Sequence, residues 1–475
     1  MATPGSASIA TATTQPLWLD QLGFDVSPEG AGANQLRPAV AGDSQVDVAI
    51  IGGGFSGLWT AYYLIKQDPT LRIQVIERHF CGYGASGRNG GWAVGELAGA
   101  FEKYAKRSSQ DGALRQAREV FKSVDEIGRV AEAEGIECGF AKGGTIRLAR
   151  NSPQADRQRD EIDHERSNGF TEAELCLLDA DQARTYLNAT RVAGGIYFPH
   201  SAALNPAQLV RGLATVVENA GVSIAEGTTV TAIDEPIVRT DRGTVRADVV
   251  VQATEAYTRD LEGQRRDLLP VYSLMIATEP LPASVFDEIG LHDRPTFADD
   301  RFMVIYGQRT ADDRIAFGGR GVPYLFGSHI DRKAELHLQS HQLIQSTLVE
   351  MLPAVASARI THRWGGVLGI PRDWVPGLRF DRAAGRGVLG GYVGEGVAAA
   401  NLAGRTMADL VLGHETDRTL LPWVGHRSRR WEPEPLRFVG VRSSRRLLAA
   451  ADKREDTTDK PATAAFKISR LLRGA

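Results

Sequence analysis

"VDVAIIGGGFSGLWTAYYLIKQDPTLRIQVIE" runs from Val46 to Glu77. An apolar strand meets three glycines, then an apolar-faced helix, then a second apolar strand that ends on a carboxylate. A chain that turns from strand to helix in so few residues needs a position without Cβ, which Gly52 supplies. Gly54 admits a ligand close to the backbone, and Gly57 lets the helix pack tightly on the strand. Phe55 and Ser56 complete the helix start. Its first amides lack intrahelical partners and lie at the positive end of the helix dipole, so they suit a pyrophosphate. Glu77 stands about twenty residues beyond Gly57, where a dinucleotide fold places the acid that accepts ribose hydroxyls. An acid rather than an arginine there suits an unphosphorylated ribose, so FAD or NAD is favoured over NADP.

The chain has 475 residues, enough for two domains with a large core. Its hydrophobic content of 43% and charged content of 24% are those of a soluble globular protein. No apolar run approaches the roughly 18 residues that span a bilayer. The three cysteines, Cys81, Cys138 and Cys176, form no C-x-x-C pair, which argues against a zinc site or a disulfide framework. Residues 1–45 read as a mobile leader, with "LWLDQLGF" (Leu17–Phe24) as the stretch that would dock on the body. The leader lacks the basic start and apolar run of a secretory signal, so a cytoplasmic protein is expected.

Gly425–Ala475 holds thirteen Lys/Arg against six Asp/Glu, a net of +7; the whole is −3, so residues 1–424 carry −10. Such a tail could bind nucleic acid or an acidic membrane face, but its acids are interleaved. The favoured reading is a solvated extension over 416–475 whose arginines pair with the acidic body, with no nucleic acid expected. Neither terminus carries a cofactor motif, so either should be removable without loss of the site.

Further along, Ala113–Glu134 has helical spacing and "GGTIRLAR" (Gly143–Arg150) alternates like a strand. Asn205-Pro206 starts a helix that runs to Ala220. "VRADVVVQAT" (Val245–Thr254) is the kind of strand buried on both faces. Residues 268–279, 302–306 and 314–318 read as strands without intervening helices, followed by a helix at about 331–351.

Four stretches in order give a resemblance: "IGGGFSG" with Glu77, "GASGRNGG" at 84–91, "VVVQATEAYT" at 249–258 and "GGYVGEGVAAANLAGR" at 390–405. Together they resemble the D-amino-acid-oxidase family of FAD-dependent amine oxidoreductases, which includes glycine and sarcosine oxidases. Within it the chain looks most like the gamma-glutamylputrescine oxidoreductase-like branch. Glu255 departs from the glycine or asparagine common after the Ala-Thr. The resemblance implies an α/β fold: a discontinuous Rossmann-type FAD-binding domain plus an α+β substrate domain with a largely antiparallel sheet. The FAD-binding segments would be 46–139, 200–265 and 365–415, and the substrate segments 140–199 and 266–364.

It further implies that Arg78, Gly84, Ala85, Ser86, Arg88, Asn89, Gly90 and Gly91 line the pyrophosphate and flavin ring. Ser86, Arg88 and Asn89 would act there as donors. Val230 would meet the adenine, Thr254 the cofactor loop, and Gly391, Gly394, Glu395, Gly396 and Val397 the flavin carbonyl end. FAD is expected to be noncovalent, with Cys81 a buried structural thiol. The expected reaction removes a hydride from the carbon beside nitrogen of an amine or amino acid to flavin N5, with oxygen or another acceptor reoxidising the flavin. Tyr272, Arg320 and Trp364 fall where the family builds its catalytic face. Arg320 or Arg372 would clamp a substrate carboxylate or else form a structural ion pair. An NAD(P)H-using monooxygenase would need a second nucleotide motif, and none is visible. An RNA-linked or non-catalytic flavoprotein using the basic tail is the alternative.

Overall fold

The computed structural model describes residues 4–26, 36–319, 324–465 and 467–468. Its first large sheet is centred on the strand Ser44–Ile51, which pairs in parallel with Thr244–Gln252 on one side and Ile73–Ile76 on the other. Ser223–Ala225 extends the sheet beyond Ile73–Ile76, and Arg386–Gly390 lies parallel beyond Thr244–Gln252, with Gly377–Asp381 antiparallel outside it. The central residues Ala49, Ile50, Val250 and Val251 are fully buried. That double burial explains their unbroken aliphatic sequence. Parallel neighbours cannot be joined by hairpins, so helices carry the crossovers. Phe55–Gln67, Pro206–Asn219 and Gly396–Leu412 pack into the core of this sheet. The two neighbours of the central strand leave it in opposite directions, which opens a crevice beyond its carboxyl end.

The second sheet runs in the order Ile360–Ile370, Leu269–Thr278, Ile315–Gly319, Ile305–Arg309, Thr296–Asp299, Thr145–Ala149, Gly194–Phe198, Cys176–Leu178. All its pairs are antiparallel except Thr296–Asp299 with Thr145–Ala149. The fold is thus mixed α/β, with one large sheet that has a parallel centre and antiparallel outer strands and one that is largely antiparallel.

Several local expectations shift. The strand expected at 302–306 begins three residues later, because the amides of Phe302 and Met303 donate to Asp452 of the C-terminal helix and leave the ladder. The helix expected at 331–351 is two, Arg332–Glu335 and Leu338–Met351. Arg363 Nη1 donates to the Leu336 carbonyl at the break. A short helix, Ala283–Ile289, intervenes where none was expected. The strand Ile360–Ile370 belongs wholly to the second sheet, since it pairs along Leu269–Thr278. Residues 365–370, expected to open the third FAD-binding segment, thus lie in a strand of the second sheet.

Both chain ends are more ordered than the sequence reading held. Leu17, Trp18 and Leu19 are buried against the body, as expected of that stretch; beyond it Ile9 is buried as well, and Thr13 bridges to His362. Residues 1–3 and 27–35 of that expectation lie outside the described residues. The tail forms a helix, Leu436–Thr458, that buries Arg437, Leu448, Ala451 and Glu455. Its acids are what dock it. Glu455 accepts both contacts of Arg157 Nη1 at 2.9 Å, and Asp459 accepts from Ser152 N and Oγ. No described helix is long and apolar enough to cross a membrane.

Candidate functional site

The crevice at the end of the strand Ser44–Ile51 is a deep cleft lined by Gly52, Gly54, Phe55, Ser56, Glu77 and Arg78 on one wall. Gly52 has φ +111°, and a Cβ there would meet the Ala253 carbonyl oxygen at 2.5 Å. Only glycine makes that turn. Gly57 lies behind the cleft, where a Cβ would meet the Gly52 oxygen at 2.0 Å, so it serves helix packing. The Phe55 amide donates to Ser86 Oγ at 2.9 Å, which joins the helix start to the next loop.

Glu77 accepts the Gly53 amide at 2.8 Å and the His79 amide at 2.9 Å. Burial pushes its carboxyl up, and the two amides pull it back down. Two carboxylate oxygens offer about four acceptor sites, so capacity remains for ribose hydroxyls. Arg78 lines the cleft while pairing with Asp260 at 2.9 Å. Cys81 is buried beside this wall with its thiol pushed up by burial.

The loop 84–91 is held by its own side chains and by neighbours. Asn89 Nδ2 donates to the Ala85 and Ser86 carbonyls, and Asn89 Oδ1 accepts the Gly91 amide. The side chain expected to reach the cofactor is thus spent on shaping the loop. Gln308 Nε2 donates to the carbonyls of Gly90 and Gly91 at 2.7 and 3.0 Å, a tie from the second sheet. Arg88 is buried and paired with Glu335 at 2.8 Å, with its guanidinium over the Tyr83 ring. It lines a second cavity rather than the first cleft. Gly84, Ala85, Ser86 and Asn89 do line the cleft, whereas Gly91 does not.

The far wall comprises Val230, Thr254, Tyr392, Gly394, Gly396 and Val397. The helix Gly396–Leu412 starts there, aiming its first amides inward. Tyr392 OH and Ser56 Oγ are 2.8 Å apart across the cleft. Glu255, at φ +42°, accepts the amides of Gly369 at 3.0 Å and Gly391 at 2.7 Å. It staples the second sheet to the glycine turn, so Gly391 acts through Glu255 instead of lining the cleft.

A second cavity adjoins the first and shares Ala85, Asn89, Val367, Leu368, Gly394 and Val397 with it. Glu395 and Gly90 line only this cavity, with Trp92, Ser273 and Tyr306. Tyr306 OH and Ser273 Oγ are 2.6 Å apart. Tyr272, the expected aromatic, points the other way into the core of the second sheet. Its hydroxyl accepts the Asp331 amide at 2.7 Å. Side chains alternate along a strand, so the position one residue on is the one that faces the cavity. Trp364 is buried and donates its Nε1–H to the Arg88 carbonyl at 2.9 Å, making it a support for the loop. Arg372 is an ion-pair residue: its Nε donates to both oxygens of Glu432, and its guanidinium lies over Trp431. Arg320 lies outside the described residues. Gln308, Tyr306, Ser273 and Glu335 carried no motif in the sequence; only their strand or helix context places them here.

A family model described as FAD dependent oxidoreductase matches residues 47–410. The chain is 30% identical over 396 residues to the probable oxidoreductase OrdL of Rhizobium meliloti, covering 81% of this chain and 87% of that protein. It is 28% identical over 394 residues to the gamma-glutamylputrescine oxidoreductase of Escherichia coli, covering 81% and 88% respectively. The solved structure of glycine oxidase from Geobacillus kaustophilus aligns with a TM-score of 0.68 at 23% identity, over 81% of this chain and 99% of that one. The cleft suits FAD on its own chemistry: a glycine cradle, two inward helix starts and an acid with acceptor capacity left over.

Proposed function

Because the chain belongs to the family of FAD-dependent oxidoreductases, we propose that it oxidises an amine or amino acid at the carbon beside nitrogen, giving an imine that water hydrolyses. The observation that carries this reading is the shared wall between the cofactor cleft and the second cavity. A small molecule in that cavity lies against the residues expected to border the flavin ring. When bound, FAD supplies the two-electron acceptor for the hydride. The helix start at Gly396 and Val397 places amide dipoles where negative charge on the cofactor would be stabilised. Val304, Ile305, Val367 and Leu368 give the cavity an apolar wall. Desolvation there favours the neutral amine, whose lone pair is needed for oxidation, so no strong base is required.

The names of the relatives support an amine or amino-acid substrate. FAD is held noncovalently in this reading, and the site residues named above keep the roles the geometry suggests. We place the reaction in the cytoplasm, in keeping with three free cysteines. The test is anaerobic mixing of the purified holoprotein with a panel of amines and amino acids. Bleaching of the flavin by at least one of them is expected, and re-admitting oxygen then separates oxidase from dehydrogenase behaviour. A flavin that no amine or amino acid bleaches would sink the reading.

A further inference from the structure

The second cavity does not end at its own wall. Glu96, Thr145 and Arg147 line it on one side and line a further chamber on the other. That chamber is walled by Phe121, Phe170 and Phe198 and by the acids Glu161, Glu165 and Glu174. The charges do not cancel. Arg118 neutralises Glu174 from outside, with contacts of 2.7 and 3.1 Å. Arg147 pairs with Glu161 and lies 3.6 Å from Asp300. Glu165 has a single weak partner in Asn168 at 3.5 Å.

Glu96 takes no hydrogen bond or ion pair among the described residues. Its side chain is accessible, but the space it faces is the two cavities. Burial pushes its carboxyl up while Arg147 pulls it down. Two carboxylates, Glu96 and Glu165, thus face a space walled by aromatic rings without a close counter-charge of their own. Aromatic faces and carboxylates together recognise an alkylammonium group, the rings by cation–π attraction and the acids by charge-assisted hydrogen bonds.

We infer that this chamber is a distal subsite, with Glu96 as its gatepost, that takes the cationic end of an elongated amine carrying a second positive nitrogen. The inference rests on the amine reading above and narrows it to di- and polyamines. The reacting carbon sits in the second cavity, and the methylene chain passes Glu96 into the aromatic chamber.

The test compares n-octylamine with α,ω-diaminooctane on the holoenzyme, by calorimetric affinity and by anaerobic flavin reduction. The wild type should favour the diamine about ten- to a hundredfold, the worth of one charge-assisted hydrogen bond. Glu165→Gln, in the chamber alone, keeps the side-chain shape and should shrink that preference while moving n-octylamine by less than about twofold, and Glu96→Gln should shrink the preference as well. Equal wild-type affinity for the two ligands overturns the subsite, as do equal losses for both in the variants. A diamine preference in binding that depends on Glu96, with no flavin reduction by either ligand, upholds the subsite and sinks the amine-oxidation reading instead.

Discussion

Trp18 donates its indole Nε1–H to the backbone carbonyl of Asn89 at 2.8 Å, so the N-terminal segment holds the loop that lines the cofactor cleft. The same indole meets Trp364 edge-on at 6.0 Å between ring centroids, and Trp364 in turn holds Arg88. Removing the Trp18 side chain leaves a buried cavity and an unpaired carbonyl. Trp18→Ala should cost about 3–5 kcal/mol. A lower Tm and faster flavin release are expected. An unchanged Tm together with unchanged FAD affinity would mean that the leader is dispensable after all.

Glu255 holds one amide from the second sheet and one from the glycine turn in a conformation that side chains rarely adopt. Glu255→Gly relieves the backbone but loses both bonds, each to a charged acceptor worth about 1.5–3 kcal/mol. The loss exceeds the relief of about 1–2 kcal/mol. The variant should unfold at lower denaturant and bind FAD more weakly, because the turn at 390–394 loses its anchor. A midpoint at or above that of the wild type would show that the backbone strain outweighs the two bonds.

Asp452 accepts the amides of Phe302 and Met303, and burial pushes its carboxyl up to about 6 from the ordinary 3.8. The native state therefore binds this proton more tightly than the unfolded chain. Its contribution is full below pH 3.8 and is lost as the pH rises to about 6. Asp452→Asn has no such proton. Between about pH 5 and pH 7.5 the wild type should lose about 1 kcal/mol more unfolding free energy than the variant. Asp300, also pushed up to about 6 by burial, shifts both proteins alike and cancels. Parallel pH dependence in wild type and variant would contradict the assignment.

The cofactor half of the site was legible because its chemistry is written locally. The turn at Gly52, the helix start beside it and the acid at 77 lie within one strand-helix-strand unit, and each residue's job follows from backbone geometry. Asn89 and Arg88 show where local reading stops. Both are polar residues in a glycine-rich loop, and nothing in that loop says that Asn89 would satisfy its own backbone or that Glu335 would claim Arg88. Those outcomes depend on partners up to 247 positions away. The tail was misread for a related reason. Its net charge is positive and Arg430 does pair with Asp267 of the body, yet docking also depends on which acids the body's arginines reach, Glu432, Glu455 and Asp456 among them. At the second cavity the sequence reading and the structure differ by a single step of register, since Ser273 rather than Tyr272 lines it.

That step can be measured, because Tyr272 and Ser273 are neighbours on opposite faces of one strand. Tyr272 sits in the core, and its hydroxyl holds the Asp331 amide that starts the helix Arg332–Glu335. That helix carries Glu335, the partner of Arg88. Tyr272→Phe strands a partly buried amide and should cost about 1–3 kcal/mol of stability. Its kcat/KM for a given amine should stay within about twofold at a temperature where the protein is folded. Ser273→Ala removes a small hydroxyl that faces the cavity and contacts Tyr306. It should leave Tm nearly unchanged and alter KM, kcat or both, because it changes the wall of the cavity proposed to take the substrate. Denaturation curves and steady-state kinetics on the two variants therefore form a crossed comparison, each acting as the control for the other. The reverse pattern, a stability loss at Ser273 and a kinetic loss at Tyr272, would place the substrate on the opposite face of the sheet and overturn the site described here.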